Sequence, residues 1–381
     1  MRRHGGTWRE WPWRVLALVA LVILAAVAGL TLAGWWPRSS PPALSLSARQ
    51  VHEDARSGVV YPVCVPERAD VAKNGSWSVL VVLPFPPRQI AAARAAVQQW
   101  TTAGQCDRSR GSERGMVDLL LWCSGSASNT SLVEEVRRLR EESRSAWREL
   151  GEHAGTVHAA LANLTHTQDL YYYSWWRMRH VSPGTTHLFY AMFTAAAAST
   201  DPAPSALPKW TSPTAYPYAV WLEPDTWVVQ PCLLESLLRL IDRHHPFWVL
   251  GSAPQYRRRG GWVHVPHDHH LNGNAVYRLN DRCFSQVLLQ EVFARYPDTP
   301  FDGALQRWRY ARTQDAWWRA YAHMFGYTDW VRNYGRRAWC AERVRRYSPG
   351  TCVVHGRHRR ERCGMAGAER ASVDATTSHE L

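Results

Sequence analysis

The sequence predicts an α/β protein built on a mostly parallel sheet flanked by helices, and three observations carry that expectation. Short, β-rich apolar runs such as WSVLVVLPF and MVDLLLWC read as buried strands. They alternate with stretches whose apolar residues recur at helical spacing, the pattern of a parallel sheet with crossover helices. The alternation continues past the midpoint of the chain without an internal repeat, which favours one globular domain over two.

Each element follows in order. Trp77 to Phe85 is the first strand, and the run after it, RQIAAARAAVQQWTTA, sets Ile90, Ala93, Val97 and Trp100 near helical spacing. Met116 to Cys123 is the second strand, and Ser131 to Leu150 a polar, charge-laced helix. From Asp169 the chain turns aromatic (DLYYYSWWRMRH), and Thr185 to Ala198 is an apolar helix. A Pro-rich loop, STDPAPSALPKWTSPTAYP, leads to a strand from Tyr218 to Leu222. Leu233 to Arg243 is again helical in spacing, and Phe247 to Ala253 is one more short strand. The domain expected from this pattern covers residues 74–363.

The residues before it are of another kind. Val15 to Trp36 is apolar if Thr31 and the glycines are counted as membrane-compatible, which matches the ~20 residues a spanning helix needs. Arg2, Arg3, Arg9 and Arg14 precede it and only Arg38 closely follows. The positive-inside rule therefore places residues 1–14 in the cytosol, makes 15–36 a transmembrane signal anchor and puts the rest in the lumen. Residues 37–73, headed by WWPRSSPPALSLS, extend rather than pack and form a stem. A cleavable signal peptide is the rival reading, because Ala26-Val27-Ala28 resembles a cleavage site, although the apolar run exceeds the ~7–15 residues of such a core. Residues 364–381 have no apolar periodicity and read as a disordered tail. The tail ends Ser-His-Glu-Leu, with His379 where an ER-retrieval signal carries an acidic residue, so the Golgi is expected ahead of the endoplasmic reticulum.

Cysteine and charge agree with that topology. All eight cysteines, Cys64 to Cys363, lie beyond the anchor, an even number in a compartment that permits disulfides. Asn74, Asn129 and Asn163 begin glycosylation sequons. The net charge of +13 would suggest nucleic acid in a cytosolic chain, but a lumenal body meets little of it, and no nucleic-acid partner is expected. The charge is compatible with a diphosphate-bearing substrate.

The chemistry is concentrated where VWLEPDTWVV delivers Glu223, Pro224 and Asp225 in succession. Residues two apart in a strand share a face, so Glu223 and Asp225 can both look into a cleft at the carboxyl end of the sheet, where open α/β sheets bind ligands. Carboxylate oxygens there suit a hard divalent cation, which stabilises charge on a departing diphosphate. The alternative is that Asp225 or Thr226 caps a helix beginning near Pro231 while Glu223 is solvated. Further on, HLNGNAVY contains the Asn-Gly turn signal, by itself a common hairpin feature.

WLEPD, HLNGNAVY and FDGAL, in that order, resemble the nucleotide-sugar glycosyltransferases of the GT-A fold, in particular an algal, protist and large-virus group with an ExD metal motif and a His-x-Asn-Gly-Asn run. The resemblance is clearest over Tyr218 to Trp308. It implies a GT-A (Rossmann-like) domain and transfer of a sugar from a nucleotide-sugar donor to a glycan or glycoprotein acceptor, assisted by Mn2+ or Mg2+. Asp225 would contact the metal, and Glu223 would approach the ribose or a metal-bound water. His355, in CVVHG, resembles the late histidine that completes such metal sites. Asn272, Gly273 and Asn274 would line the donor sugar or acceptor, the glycine permitting close backbone approach. Asp302 is the candidate base for the acceptor hydroxyl; its other reading is a helix N-cap for the run beginning at Gly303. Asp298 and Asp315 are reserves.

Some features are left aside. His267, His269 and His270 lack the spacing of a structural zinc site. Arg257, Arg258 and Arg259 suit a solvated loop as well as a diphosphate contact, and Trp227 or Trp262 are candidates to face a sugar. The competing function, from another class, is a non-catalytic glycan-binding membrane protein on a degenerate transferase scaffold.

Overall fold

The structure is a computed structural model that describes residues 50–53, 60–63, 77–106, 115–169, 172–174, 179–181, 183–197, 216–253, 271–297, 299–313 and 316–358. The anchor segment, the tail, most of the stem, His267, His269, His270, Arg257 to Arg259, Trp262, Asp298 and Asp315 lie outside them. Among the described residues no helix is long and apolar enough to cross a membrane. Contacts divide the chain into two units, Met1–Val51 and His52–Leu381, and the second carries the sheets and helices of the fold.

A seven-stranded sheet forms its centre. In chain order its strands are β1 (Trp77–Phe85), β2 (Gly115–Cys123), β3 (Ala154–Leu161), β4 (Tyr218–Trp221), then β6 (Val249–Gly251), β7 (Ala275–Arg278) and β8 (Phe325–Tyr327). Between β4 and β6 the chain makes β5 (Thr226–Val228), which belongs to a second sheet. The spatial order is β8-β6-β7-β4-β1-β2-β3. Only β7 runs antiparallel to its neighbours; the remaining pairs are parallel.

The apolar runs are continuous because the sheet is covered on both faces. Val79, Val81 and Leu83 of β1 and Val117, Leu119 and Leu121 of β2 join one core cluster with helices α1 (Ile90–Gly104), α2 (Thr130–Arg148) and α4 (Leu233–His244). Leu80, Val82, Leu120 and Trp122 point the other way, onto α3 (Pro183–Ala197) and the segment that includes Phe284, Phe301 and Trp308. In α1 the predicted face is the buried one, with Trp100 fully enclosed. Asn129 caps α2 through a bond from Leu132 N–H (3.1 Å), as Asn does at N-caps.

The second sheet has three strands, in the order β9 (Val331–Trp339), β10 (Val353–His358), β5. β9 and β10 are parallel and β5 is antiparallel to β10. It is the element the sequence did not announce, and it carries His355.

Cys106 and Cys232 form a disulfide across a sequence separation of 126 residues. Cys283 and Cys340 each take part in a disulfide, whereas Cys123 and Cys352 are buried free thiols. Opening so long a loop enlarges the unfolded ensemble, so Cys106→Ser with Cys232→Ser should cost about 2–5 kcal/mol. Thermal unfolding without reductant should show the loss, and an unchanged transition would mean the bond constrains nothing.

Candidate functional site

β4 stops at Trp221, so strand alternation is not what pairs Glu223 with Asp225. They lie instead in a turn, with Pro224 at the position where its fixed φ favours one. Thr226 closes it, donating to Glu223 O from N–H (3.0 Å) and from its hydroxyl (2.8 Å). The turn passes the chain from the central sheet to the second sheet. From α1, Trp100 Nε1 donates to Thr226 O (3.1 Å), and the Gln99 amide bonds both N–H and C=O of Val228 (2.9 and 2.8 Å). Helix capping is not the role of Asp225: the next helix starts at Leu233, beyond β5, with Cys232 at its N-cap.

His355 reaches this turn because β10 pairs with β5 and sets it opposite Thr226. Its Nε2 lies 3.2 Å from Asp225 Oδ2 and 3.5 Å from Glu223 Oε2. One ligand atom from each of Glu223, Asp225 and His355 lies within 4.8 Å of the others. The Asp225 side chain keeps 65% of its exposure, against 28% for Glu223 and 15% for His355, so the cluster opens on the Asp225 side.

The stretch from Leu271 to Tyr277 supplies the floor. Asn272 to Asn274 do not form the tight turn of a two-residue hairpin; they lead into β7 at the end of the long connection from β6. The fully buried Asn274 receives Glu223 N–H on Oδ1 (2.8 Å) and donates Nδ2 to Glu223 Oε2 (3.2 Å). Asn272 Oδ1 accepts from Asn274 N–H and Nδ2, both at 3.1 Å. Gly273 is required by close packing: a Cβ there would stand 2.6 Å from Phe301 Cζ. Tyr277 O–H donates to Gly273 O (3.0 Å) and pins the segment from the sheet side.

Asp302 lies in the first turn of α5 (Phe301–Ala311). It is not the N-cap; Pro300 holds that position and Ala304 N–H closes the first turn onto Pro300 O (2.8 Å). Asp302 Oδ2 accepts from Gly273 N–H (3.2 Å), which ties the helix to the asparagine segment. Trp227, a candidate sugar platform, packs against Trp339 with ring centroids 6.4 Å apart.

The electrostatics follow from crowding. Burial, with the charges of Asp225 and Asp302, raises the Glu223 carboxyl, against the pull of His355. Burial also opposes charge on Asp225, but the hydrogen bond and charge of His355 outweigh it and lower that carboxyl. Burial would strip the proton from His355; the bond to Asp225 and the charges of Asp225, Glu223 and Asp302 win and lift it to about 9. Asp225 and Glu223, with the charge of Asp302 behind them, thus hold one protonated imidazole where a cation fits.

The donor set suits such an ion. Two carboxylates and an imidazole match Mn2+ well and Mg2+ less well, because magnesium favours oxygen alone. The other close group of metal-ligand residues among those described, Cys106, Cys232 and Glu235, has its sulfurs in the disulfide.

Sequence reasoning missed Asn333, Gln99 and Trp100. Asn333 stands beside His355 in the ladder, its Oδ1 3.0 Å from Nδ1. Asn333 and Gln99 are ordinary polar residues that no local pattern marks, and Trp100 shows in the sequence only as part of the apolar face of its helix.

No protein-family model matches the chain, and no curated protein matches it by sequence. Among solved structures, the apo form of mouse xyloside xylosyltransferase 1 is similar with a TM-score of 0.37 and 14% identity, over 74% of this chain and 97% of that one. An active-site mutant of LgtC gives 0.39 and 12%, over 79% and 97%. The apo WbbM bifunctional glycosyltransferase gives 0.36 and 11%, over 73% and 45%. All three TM-scores lie below 0.5, too loose a likeness to carry a residue role or a substrate.

Proposed function

We propose that this chain is a divalent-metal-assisted glycosyltransferase that moves a sugar from a nucleotide-sugar to a glycan or glycoprotein acceptor. The observation that carries the reading is the meeting of Glu223, Asp225 and His355, from segments 130 residues apart in sequence, over a floor made by Asn272, Gly273 and Asn274. Glu223, Asp225 and His355 would hold Mn2+ or Mg2+. A bound ion would supply positive charge to the diphosphate as it leaves.

The chain's own groups do the rest. Asn274 fixes Glu223, so that its carboxylate keeps one orientation. In the transfer the anomeric carbon's bond to the diphosphate oxygen breaks and a bond to the acceptor oxygen forms. Asp302, held by the Gly273 N–H, takes the acceptor's proton. We place this domain in the Golgi lumen, with the endoplasmic reticulum as the alternative, behind a stem (37–73) and a single-pass anchor (15–36).

A panel of nucleotide sugars offered to the purified lumenal domain with and without Mn2+ tests the reading. Transfer or donor hydrolysis that needs the metal is expected. Glycan binding without metal-coupled nucleotide affinity would sink it in favour of a non-catalytic lectin-like protein.

Proton and metal compete for His355 Nε2, which fixes the sign of a pH effect. Because the imidazole holds its proton up to about 9, each Mn2+ bound below that pH must displace it. Mn2+ affinity should therefore climb about tenfold per pH unit through the neutral range and level off above the histidine's value. Calorimetry in buffers of different ionisation enthalpy should count about one proton released per ion. A flat pH profile would remove His355 from the ligand set.

A further inference from the structure

Resting on the metal reading above, we propose that Asn333 is the positioning residue of this site: its amide oxygen sets the tautomer and ring plane of His355 and so aims Nε2 at the cation. Asn333, His355 and Thr226 form one row across the second sheet, on β9, β10 and β5. In a parallel pair the side chains of facing residues emerge on the same side, and those of Asn333 and His355 meet at 3.0 Å through Oδ1 and Nδ1.

A neutral imidazole carries one N–H and one lone pair, and the partner of the first decides where the second points. An amide oxygen only accepts, so Nδ1 must be the N–H and the lone pair must sit on Nε2. Nε2 is the atom facing Asp225 at 3.2 Å and Glu223 at 3.5 Å. Asn333 is itself buried, at 4% exposure, so its oxygen is a fixed acceptor in place of an exchanging water. Without it the ring is free to turn or to move its proton to Nε2, and either change removes a ligand without removing a residue. Outer-shell partners of metal-bound histidines act in this way.

The test titrates the purified full chain with Mn2+ alone, reading free aqueous Mn2+ by electron paramagnetic resonance, so that no turnover is involved. N333L keeps the volume but loses the acceptor and should weaken Mn2+ binding roughly 10–100-fold in a chain that a cooperative thermal transition, lowered by the loss of a buried hydrogen bond, shows to be folded. N333D keeps an acceptor and should bind at least as tightly as wild type. Wild-type affinity in N333L, or an N333D variant as weak as N333L, would overturn the role of Asn333. If N333L fails to fold, N333D decides alone: weaker binding than wild type overturns the proposal, and equal or tighter binding upholds it. A wild-type chain that binds no Mn2+ would reject the metal reading itself, and the two failures are thereby told apart.

Discussion

Asp225→Ala should remove metal-dependent sugar transfer, by about 10²–10³-fold or more, while leaving the domain folded. The asymmetry comes from where its atoms lie. The side chain is 65% exposed and its hydrogen bond runs to His355, so deleting it opens no cavity in either core cluster. What goes is the proposed metal ligand and the carboxylate that, with Glu223 and Asp302, keeps His355 charged. Full Mn2+-dependent activity in a folded Asp225→Ala chain would reject the metal assignment. Asp225→Asn, which keeps the shape and one oxygen, should fall between the two. The readout is product formed per enzyme at saturating Mn2+, beside a thermal transition to confirm the fold.

Gly273→Val should be nearly as damaging, by a different route. The added Cβ would lie 2.6 Å from Phe301 Cζ and 3.2 Å from Cε2. Phe301 cannot swing aside, because its ring is buried and stacked on Phe189 at 3.9 Å with 8° between the planes. The segment must therefore retreat, and with it the bonds from Asn274 to Glu223 and from Gly273 to Asp302. Overpacking of this kind costs about 1–3 kcal/mol of stability, whereas misplacing catalytic groups by about 1 Å costs ~10²-fold in rate. The larger loss should thus appear in turnover. Adding Phe301→Leu to Gly273→Ala should recover part of the activity lost by Gly273→Ala alone. Strict additivity of the two substitutions would show that the Gly273 contact with Phe301 does not govern the site.

These two residues also mark how far the sequence is legible. Gly273 stands out in HLNGNAVY, yet the reason for it is Phe301, 28 positions on, and no spacing announces that contact. Glu223 and Asp225 are conspicuous as acids at the end of an apolar run. The alternation invoked to pair them is replaced by a Pro turn, because β4 ends two residues before Glu223. Asp302 before Gly303 looks like an N-cap, but the helix already begins at Phe301, its first turn closed onto Pro300.

By itself the sequence determined the first elements of the central sheet and the helices that cover it. The run Trp77 to Phe85 and the apolar spacing of Ile90, Ala93, Val97 and Trp100 dictate a buried strand and a one-faced helix, because backbone sterics and side-chain burial act between near neighbours. Only the tertiary structure decided that His355 meets Asp225, that Asn333 stands behind it and that Gln99 and Trp100 brace the turn. Those contacts depend on which strands pair: β10 with β5, across more than a hundred residues of chain, and β10 with its nearer neighbour β9. Strand pairing is selected by the packing of the whole core, and no short stretch of sequence contains it.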